Sequence, residues 1–127
     1  MADDHEWMGG ASLSQNGVIC NPNIPSEEVF TTPHALKVEG HVSSTKPLSH
    51  QGTLIDNIRV VFENGSITEA KASKGEAVLK KVLDSDEGAR RLGEVALVPN
   101  SSPISRSGLL FYNTLFDENA ACHIALG

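Results

Sequence analysis

Carboxylate and imidazole side chains that could hold a metal ion or transfer a proton stand at three places in the sequence. These places are Glu27-Glu28, Glu94, and the segment Asp117-Glu118-Asn119 with His123 following it. Carboxylate oxygen and imidazole nitrogen together suit hard or borderline divalent ions such as Zn²⁺, Co²⁺, Mn²⁺ and Mg²⁺. Ligands spread over about a hundred residues are typical of a catalytic site assembled by the fold, whereas zinc fingers use short ligand spacings.

Each place also has an ordinary structural interpretation. Adjacent glutamates such as Glu27-Glu28 often lie on a solvated face, although the apolar residues that follow them put this pair at the edge of a predicted core. Glu94 opens an apolar run and could form a salt bridge with Arg90 or Arg91 rather than bind a metal. A lone histidine in an apolar stretch, like His123, is often a hydrogen-bonded core residue. Residue types alone leave these alternatives open.

Composition excludes several other classes of function. The net charge is −6 with a pI near 5.2 and no run of basic residues, so nucleic acid is not an expected partner. No apolar stretch approaches the ~20 residues that a membrane span needs, and the acidic N-terminus is unlike a signal peptide. We therefore expect a cytoplasmic protein without a membrane partner. The HExxH, Gly-rich phosphate-loop and GxSxG motifs are absent.

The strongest structural signal is a hairpin over about residues 54–72. Apolar and polar residues alternate through Thr53 to Glu63, and Asn64-Gly65 then supplies the positive φ angles of a type I′ turn. A two-residue loop would place Phe62 opposite Ile67. A further strand is predicted within Leu36 to Val42, interrupted by Gly40.

Helix and strand signals alternate through the second half of the chain. Ser73-x-x-Glu76 has the spacing of a capping box and predicts a helix at about 74–84, with a shorter helix at about 86–91. The apolar run from Val95 to Val98, closed by Pro99, predicts a buried strand. Residues 101–107 are interpreted as a loop and residues 108–116 as another strand.

These elements predict an α+β fold with a β-rich mixed sheet. The length suits one domain, and nothing in the composition marks a boundary within residues 1–127. The final stretch, from Ala121 to Gly127, is apolar and has no polar tail, whereas domains usually end in solvent. We therefore expect a partial domain, truncated at both ends.

Longer stretches of the sequence resemble a known family of enzymes. The segment Asn23-Ile-Pro-Ser-Glu-Glu-Val-Phe-Thr-Thr-Pro33 is similar to the NxPxEEVFTxP motif of the thermophilic-type metallo-aminopeptidases typified by aminopeptidases T, S and PepS. The similarity continues through Ser44–Pro47, Gln51–Thr53, Asp84–Pro99, Ser107–Ala120 and His123–Gly127. It covers essentially the whole chain.

The resemblance implies a dimeric, cytoplasmic exopeptidase that removes N-terminal amino acids with two divalent metal ions. The family's ligands in this region correspond to Glu28, Glu94 and His123, and Glu27 would support the site from outside the ligand set. A tyrosine and a His-x-Asp pair of the family site are expected beyond Gly127, so the catalytic residues themselves are not identified. The chain alone would then bind metal weakly and be inactive. The alternative is a non-catalytic β-rich interaction or structural domain derived from a peptidase.

Overall fold

The computed structural model describes all residues, Met1–Gly127, and has ten short strands and three short helices. The strands are β1 (Ser12–Leu13), β2 (Ile19–Cys20), β3 (Val29–Thr31), β4 (Gly40–Ser43), β5 (Leu48–His50), β6 (Thr53–Ile55), β7 (Arg59–Glu63), β8 (Ser66–Lys71), β9 (Leu92–Leu97) and β10 (His123–Leu126). The helices are α1 (Glu76–Leu83), α2 (Pro103–Ser107) and α3 (Thr114–Asp117), and a 3₁₀ turn covers Glu118–Ala120. The predicted α+β class is confirmed. None of the helices is long and apolar enough to cross a membrane.

The strands form four small sheets, and all their pairings are antiparallel. Strand β9 is the centre of one sheet, with β3 on one edge and β10 on the other. Strand β7 is the centre of a second sheet, between β4 and β8. The pairs β1–β2 and β5–β6 complete the set. The predicted β-rich part of the fold is therefore present as four separate antiparallel units.

The predicted hairpin is present as β7 and β8. Asn64 and Gly65 have φ angles of 50° and 79°, as a type I′ turn requires, and Phe62 pairs with Ile67. The strand predicted from Thr53, however, is broken at Asn57, which has a φ of 51°. Residues before the break form β6 and pair with β5 instead. The strand predicted within residues 36–42 is β4, which begins only at Gly40.

The hydrophobic core lies between this hairpin and α1. Six buried residues form it: Ile55, Val60, Phe62, Ile67, Leu79 and Leu83. Leu92, Ile124 and Leu126 pack against this core from the β9–β10 side. The β3–β9–β10 sheet is thereby fixed to the core through β9 and β10.

The predicted capping box at the start of α1 is wrong in its details. The Ser73 hydroxyl donates to the Asp56 carbonyl rather than capping the helix, and the N-cap position is Gly75 in a left-handed conformation. The Glu76 carboxylate accepts the backbone N–H of Ala72. The helix therefore begins at Glu76 and is eight residues long.

Local side-chain hydrogen bonds replace the short helix predicted at 86–91. The Asp86 carboxylate accepts the backbone N–H groups of Gly88 and Ala89, which holds this segment in a turn. Short acidic side chains compete in this way with helical backbone hydrogen bonds. The prediction of a second helix there is wrong.

Two further predictions are wrong between residues 101 and 116. The predicted loop contains α2, because the Ser102 hydroxyl accepts the Ser105 N–H as an N-cap and Pro103 occupies the first turn. The predicted strand at 108–116 is an irregular segment leading into α3. The Asp117 carboxylate accepts the N–H groups of Phe111 and Asn113 and folds this segment back on itself.

Both the backbone angle and the close neighbours at position 65 favour glycine over any residue with a Cβ atom. A Cβ atom at this position would lie 1.9 Å from the Ala35 carbonyl oxygen, whereas a Cβ at Gly17, which has a similar φ of 81°, would meet nothing within 4 Å. We expect Gly17→Ala to lower the free energy of unfolding by about 1–2 kcal/mol for the left-handed backbone. Gly65→Ala should cost about 1–3 kcal/mol more because of the clash. Urea denaturation of both variants measures this difference, and equal losses would contradict the observed approach of Ala35.

Candidate metal centre

The pairing of β9 with β10 places Glu94 and His123 on the same face of their sheet. Side chains alternate between faces along a strand, so Glu94 and Ala96 point to one side of β9. His123 is the direct partner of Ala96, and directly paired residues share a face. Ala96 is buried, and its small side chain leaves space above the central strand.

Glu28 reaches the same face from the other edge of the sheet. Phe30 on β3 is also a direct partner of Ala96, and Glu28 precedes Phe30 by two residues. Glu28 converges there with Glu94 and His123, as expected for an extended segment that leads into β3 with the two-residue period of a strand. Glu27 is not part of the group of ligand atoms that converge there.

The structure thus brings together the three residues that the sequence singled out. One ligand atom from each of Glu28, Glu94 and His123 lies within 4.8 Å of the other two. His123 Nε2 is 3.1 Å from Glu28 Oε2 and 3.6 Å from Glu94 Oε1. The side chains of Glu28 and His123 are 14% and 20% exposed, so water screens this contact only in part.

A backbone hydrogen bond determines which nitrogen of His123 faces the carboxylates. Nδ1 lies 3.0 Å from the Ala121 carbonyl oxygen, which can only accept a hydrogen bond. The proton of the neutral ring is therefore held on Nδ1, and the lone pair of Nε2 points toward Glu28 and Glu94. Metal-binding histidines are commonly oriented by this kind of bond to the second nitrogen.

The facing atoms of Glu28 and His123 have no hydrogen-bond donor, and a shared cation would satisfy both. Glu28 Oε2 and His123 Nε2 are both buried, and neither has a hydrogen-bond partner. With the proton on Nδ1, both atoms are acceptors, and two buried acceptors without a donor are unfavourable. Two carboxylates and one imidazole nitrogen fit a borderline divalent ion.

The alternative partners proposed for Glu94 are engaged elsewhere. Arg90 forms an ion pair with Asp84 at 2.6 Å and donates to the Ile67 carbonyl. Arg91 donates to the Ala35 carbonyl at 3.1 Å. The salt-bridge interpretation of Glu94 is therefore wrong, and its charge faces His123 instead.

Glu118 is a third acidic residue near this site, and the sequence analysis left it out of the ligand set. Burial raises the pKa of its carboxyl group, the negative charge of Glu28 raises it further, His123 opposes the rise, and Glu94 adds to it. Glu118 is thus within electrostatic range of all three residues. The sequence did offer a signal for Glu118, because it belongs to the acidic segment Asp117-Glu118-Asn119 and stands five residues before His123. Its neighbour Asp117 is used locally, by the N–H groups of Phe111 and Asn113.

Comparison with known proteins decides the family. A family model described as thermophilic metalloprotease (M29) matches residues 1–127. The chain belongs to the thermophilic metalloprotease family. Membership implies the use of a divalent metal, in agreement with the ligand types at the site.

Relatives within the thermophilic metalloprotease family are similar along the whole chain. Aminopeptidase 2 of Geobacillus stearothermophilus is 58% identical over 127 residues, and Aminopeptidase T of Thermus thermophilus is 57% identical over 127 residues. These alignments cover 100% of this chain and 31% of each relative. The solved structure of wild-type AmpT from Thermus thermophilus superposes with a TM-score of 0.92 at 58% identity, covering 97% of this chain and 31% of that one. The chain therefore spans less than a third of these relatives' length.

The hydrogen bond to Ala121 predicts the tautomer of His123. In the neutral, metal-free protein the imidazole proton should reside on Nδ1, because only that nitrogen has a carbonyl acceptor within 3.0 Å. Two-bond ¹H–¹⁵N correlation NMR of histidine-labelled protein distinguishes the two ring nitrogens. His5, whose Nδ1 also lies near a carbonyl oxygen but on an exposed segment, serves as the comparison. A neutral His123 with its proton on Nε2 would contradict the proposed orientation.

Proposed function

We propose that the complete protein is a metal-dependent aminopeptidase that removes N-terminal amino acids from peptides. In this proposal Glu28, Glu94 and His123 supply part of its metal site. The family supports metalloprotease chemistry, and the similar proteins are named aminopeptidases. The observation that carries the proposal is the buried pair of acceptors, Glu28 Oε2 and His123 Nε2, which lie 3.1 Å apart without a donor.

We infer that the complete centre holds two divalent ions, of Zn²⁺, Co²⁺, Mn²⁺ or Mg²⁺. Zinc commonly takes four ligands and magnesium takes six, so three converging side chains cannot complete the coordination of two ions. The chain covers only 31% of the length of each of these relatives. The remaining ligands would therefore come from the part of the family's sequence that this chain does not cover. By itself, this partial domain would bind metal weakly and have little or no activity.

The residues present would have separate roles in the complete enzyme. Bound divalent ions polarise a carbonyl group and lower the pKa of water, which are the chemical requirements of peptide hydrolysis. Glu28 and Glu94 would supply negative charge to hold the ions, and His123 would supply a nitrogen fixed in orientation by Ala121. Glu118 adds a further acidic group beside them.

The family supports the substrate class, because the chain matches a metalloprotease family and the similar proteins are named aminopeptidases. We propose a peptide substrate, and neither nucleic acid nor a membrane as partner, since the net charge is −6. A cytoplasmic homodimer is the assembly that the family resemblance implies for the complete protein.

Substitution of Glu94 and Glu27 in the complete enzyme tests this proposal. Glu94→Gln keeps the shape of the side chain but removes the charge that holds the ions, so both bound metal and kcat should fall by more than about 100-fold. Glu27→Gln changes a residue outside the converging group, and it should cost no more than about 10- to 100-fold. Metal analysis and steady-state kinetics on an aminoacyl substrate measure both effects. A Glu94→Gln enzyme that keeps its metal and turns over like the parent would remove Glu94 from the site.

A further inference from the structure

The buried amide side chain of Asn119 links the segment before β3 to the segment before β10. Asn119 is 1% exposed, and its Oδ1 accepts the backbone N–H of Glu27 at 2.7 Å. Its Nδ2 donates to the Leu115 carbonyl at 2.9 Å, and its own carbonyl accepts the Ser102 hydroxyl at 2.7 Å. Asn119 therefore has hydrogen bonds on both ends of its amide and on its backbone, at a point where no water reaches it.

The position of this bond matters because the outer strands β3 and β10 do not pair with each other. Strands β3 and β10 pair with opposite edges of β9, so the sheet itself links them only through the central strand. The bond from Glu27 to Asn119 is the only hydrogen bond between the segment 27–31 and the segment 118–126. It joins the residue next to Glu28 to the residue next to Glu118.

We propose that Asn119 is a positioning residue for the metal centre, which sets the distance between Glu28 and His123. This inference rests on the proposed function and adds to it a residue that contacts neither ion nor substrate. Glu28 lies outside any strand, directly before β3, so its backbone is not fixed by sheet hydrogen bonds. The N–H of Glu27 is fixed by Asn119 instead, and this restrains the peptide unit from which Glu28 projects.

The same side chain also fixes the histidine end of the site. Asn119 lies in the 3₁₀ turn that leads through Ala121 to His123, and Ala121 supplies the carbonyl that orients the imidazole ring. Anchoring the turn to Leu115 and Ser102 fixes the start of this segment. Asn119 thus fixes the position of Glu28 relative to that of His123, although these two residues are far apart in the sequence.

The matched pair of variants is Asn119→Leu and Ser102→Ala. Leucine has the same branching and the same number of side-chain heavy atoms as asparagine but cannot bond Glu27, whereas Ser102→Ala removes another buried hydroxyl contact of the same turn and leaves the Glu27 bond intact. Both should lower the midpoint of urea denaturation. Titration of this chain with Co²⁺ should show that Asn119→Leu weakens metal binding by about 10-fold or more, as does loss of a residue that orients ligands. Ser102→Ala should stay within about threefold of the parent.

Amide hydrogen exchange of Glu27 gives a readout that needs no metal. The Glu27 N–H of the unmodified chain should exchange slowly and show a scalar coupling across the hydrogen bond to the Asn119 side chain. Protection should be lost in Asn119→Leu and kept in Ser102→Ala. A rapidly exchanging Glu27 amide in the unmodified chain would overturn the inference even if Asn119→Leu fails to fold.

The outcomes separate this inference from the proposed function. If the unmodified chain binds Co²⁺ and Asn119→Leu binds it equally well, the positioning role is wrong and the proposed metal site stands. Equal losses of affinity in both variants would show a general effect of destabilisation and would also overturn the positioning role. If the unmodified chain binds no Co²⁺ at all, the proposed metal site fails, and this inference fails with it.

Discussion

The register of the β3–β9–β10 sheet is the constraint on which the site depends. Ala96 pairs directly with both Phe30 and His123, and this one alignment sends Glu28, Glu94 and His123 to a common face. A shift of one residue in either pairing would turn a ligand to the opposite face. Packing of Ile124 and Leu126 on the hydrophobic core resists such a shift, because these residues would leave the core with it. Core packing therefore also fixes the geometry of the site.

Electrostatics then explains why this face is suited to a cation. The ligand atoms of Glu28 and Glu94 lie within 4.8 Å of each other, and Glu118 carries a pKa raised by burial and by their charge. Like charges held this close in a partly buried site repel each other. No arginine or lysine contacts the group, since Arg90 and Arg91 bond elsewhere. A divalent ion held by these residues would reduce this repulsion and give the unpaired Nε2 of His123 a partner.

Sequence patterns predicted the parts of the fold that rest on apolar periodicity or on a specific turn. The Asn64-Gly65 hairpin, the helix around Leu79 and the strand through Ala96 are of this kind. Errors occurred where polar side chains bond the backbone, as at Asp86, Ser102 and Asp117, because such bonds depend on geometry that spacing alone does not reveal. The convergence of Glu28, Glu94 and His123 could be expected from the family motif. The bridging role of Asn119 could be inferred only from its contacts in the structure.

Anomalous X-ray diffraction from crystals of this chain soaked in Zn²⁺ or Co²⁺ would test the central claim most directly. Data collected on either side of the metal's absorption edge locate the ion independently of any assumed ligand. We expect an anomalous peak about 2.0–2.2 Å from His123 Nε2 and from carboxylate oxygens of Glu28 or Glu94. A peak at other residues, or none at a metal concentration that saturates binding in solution, would contradict the assignment of this face as the metal centre.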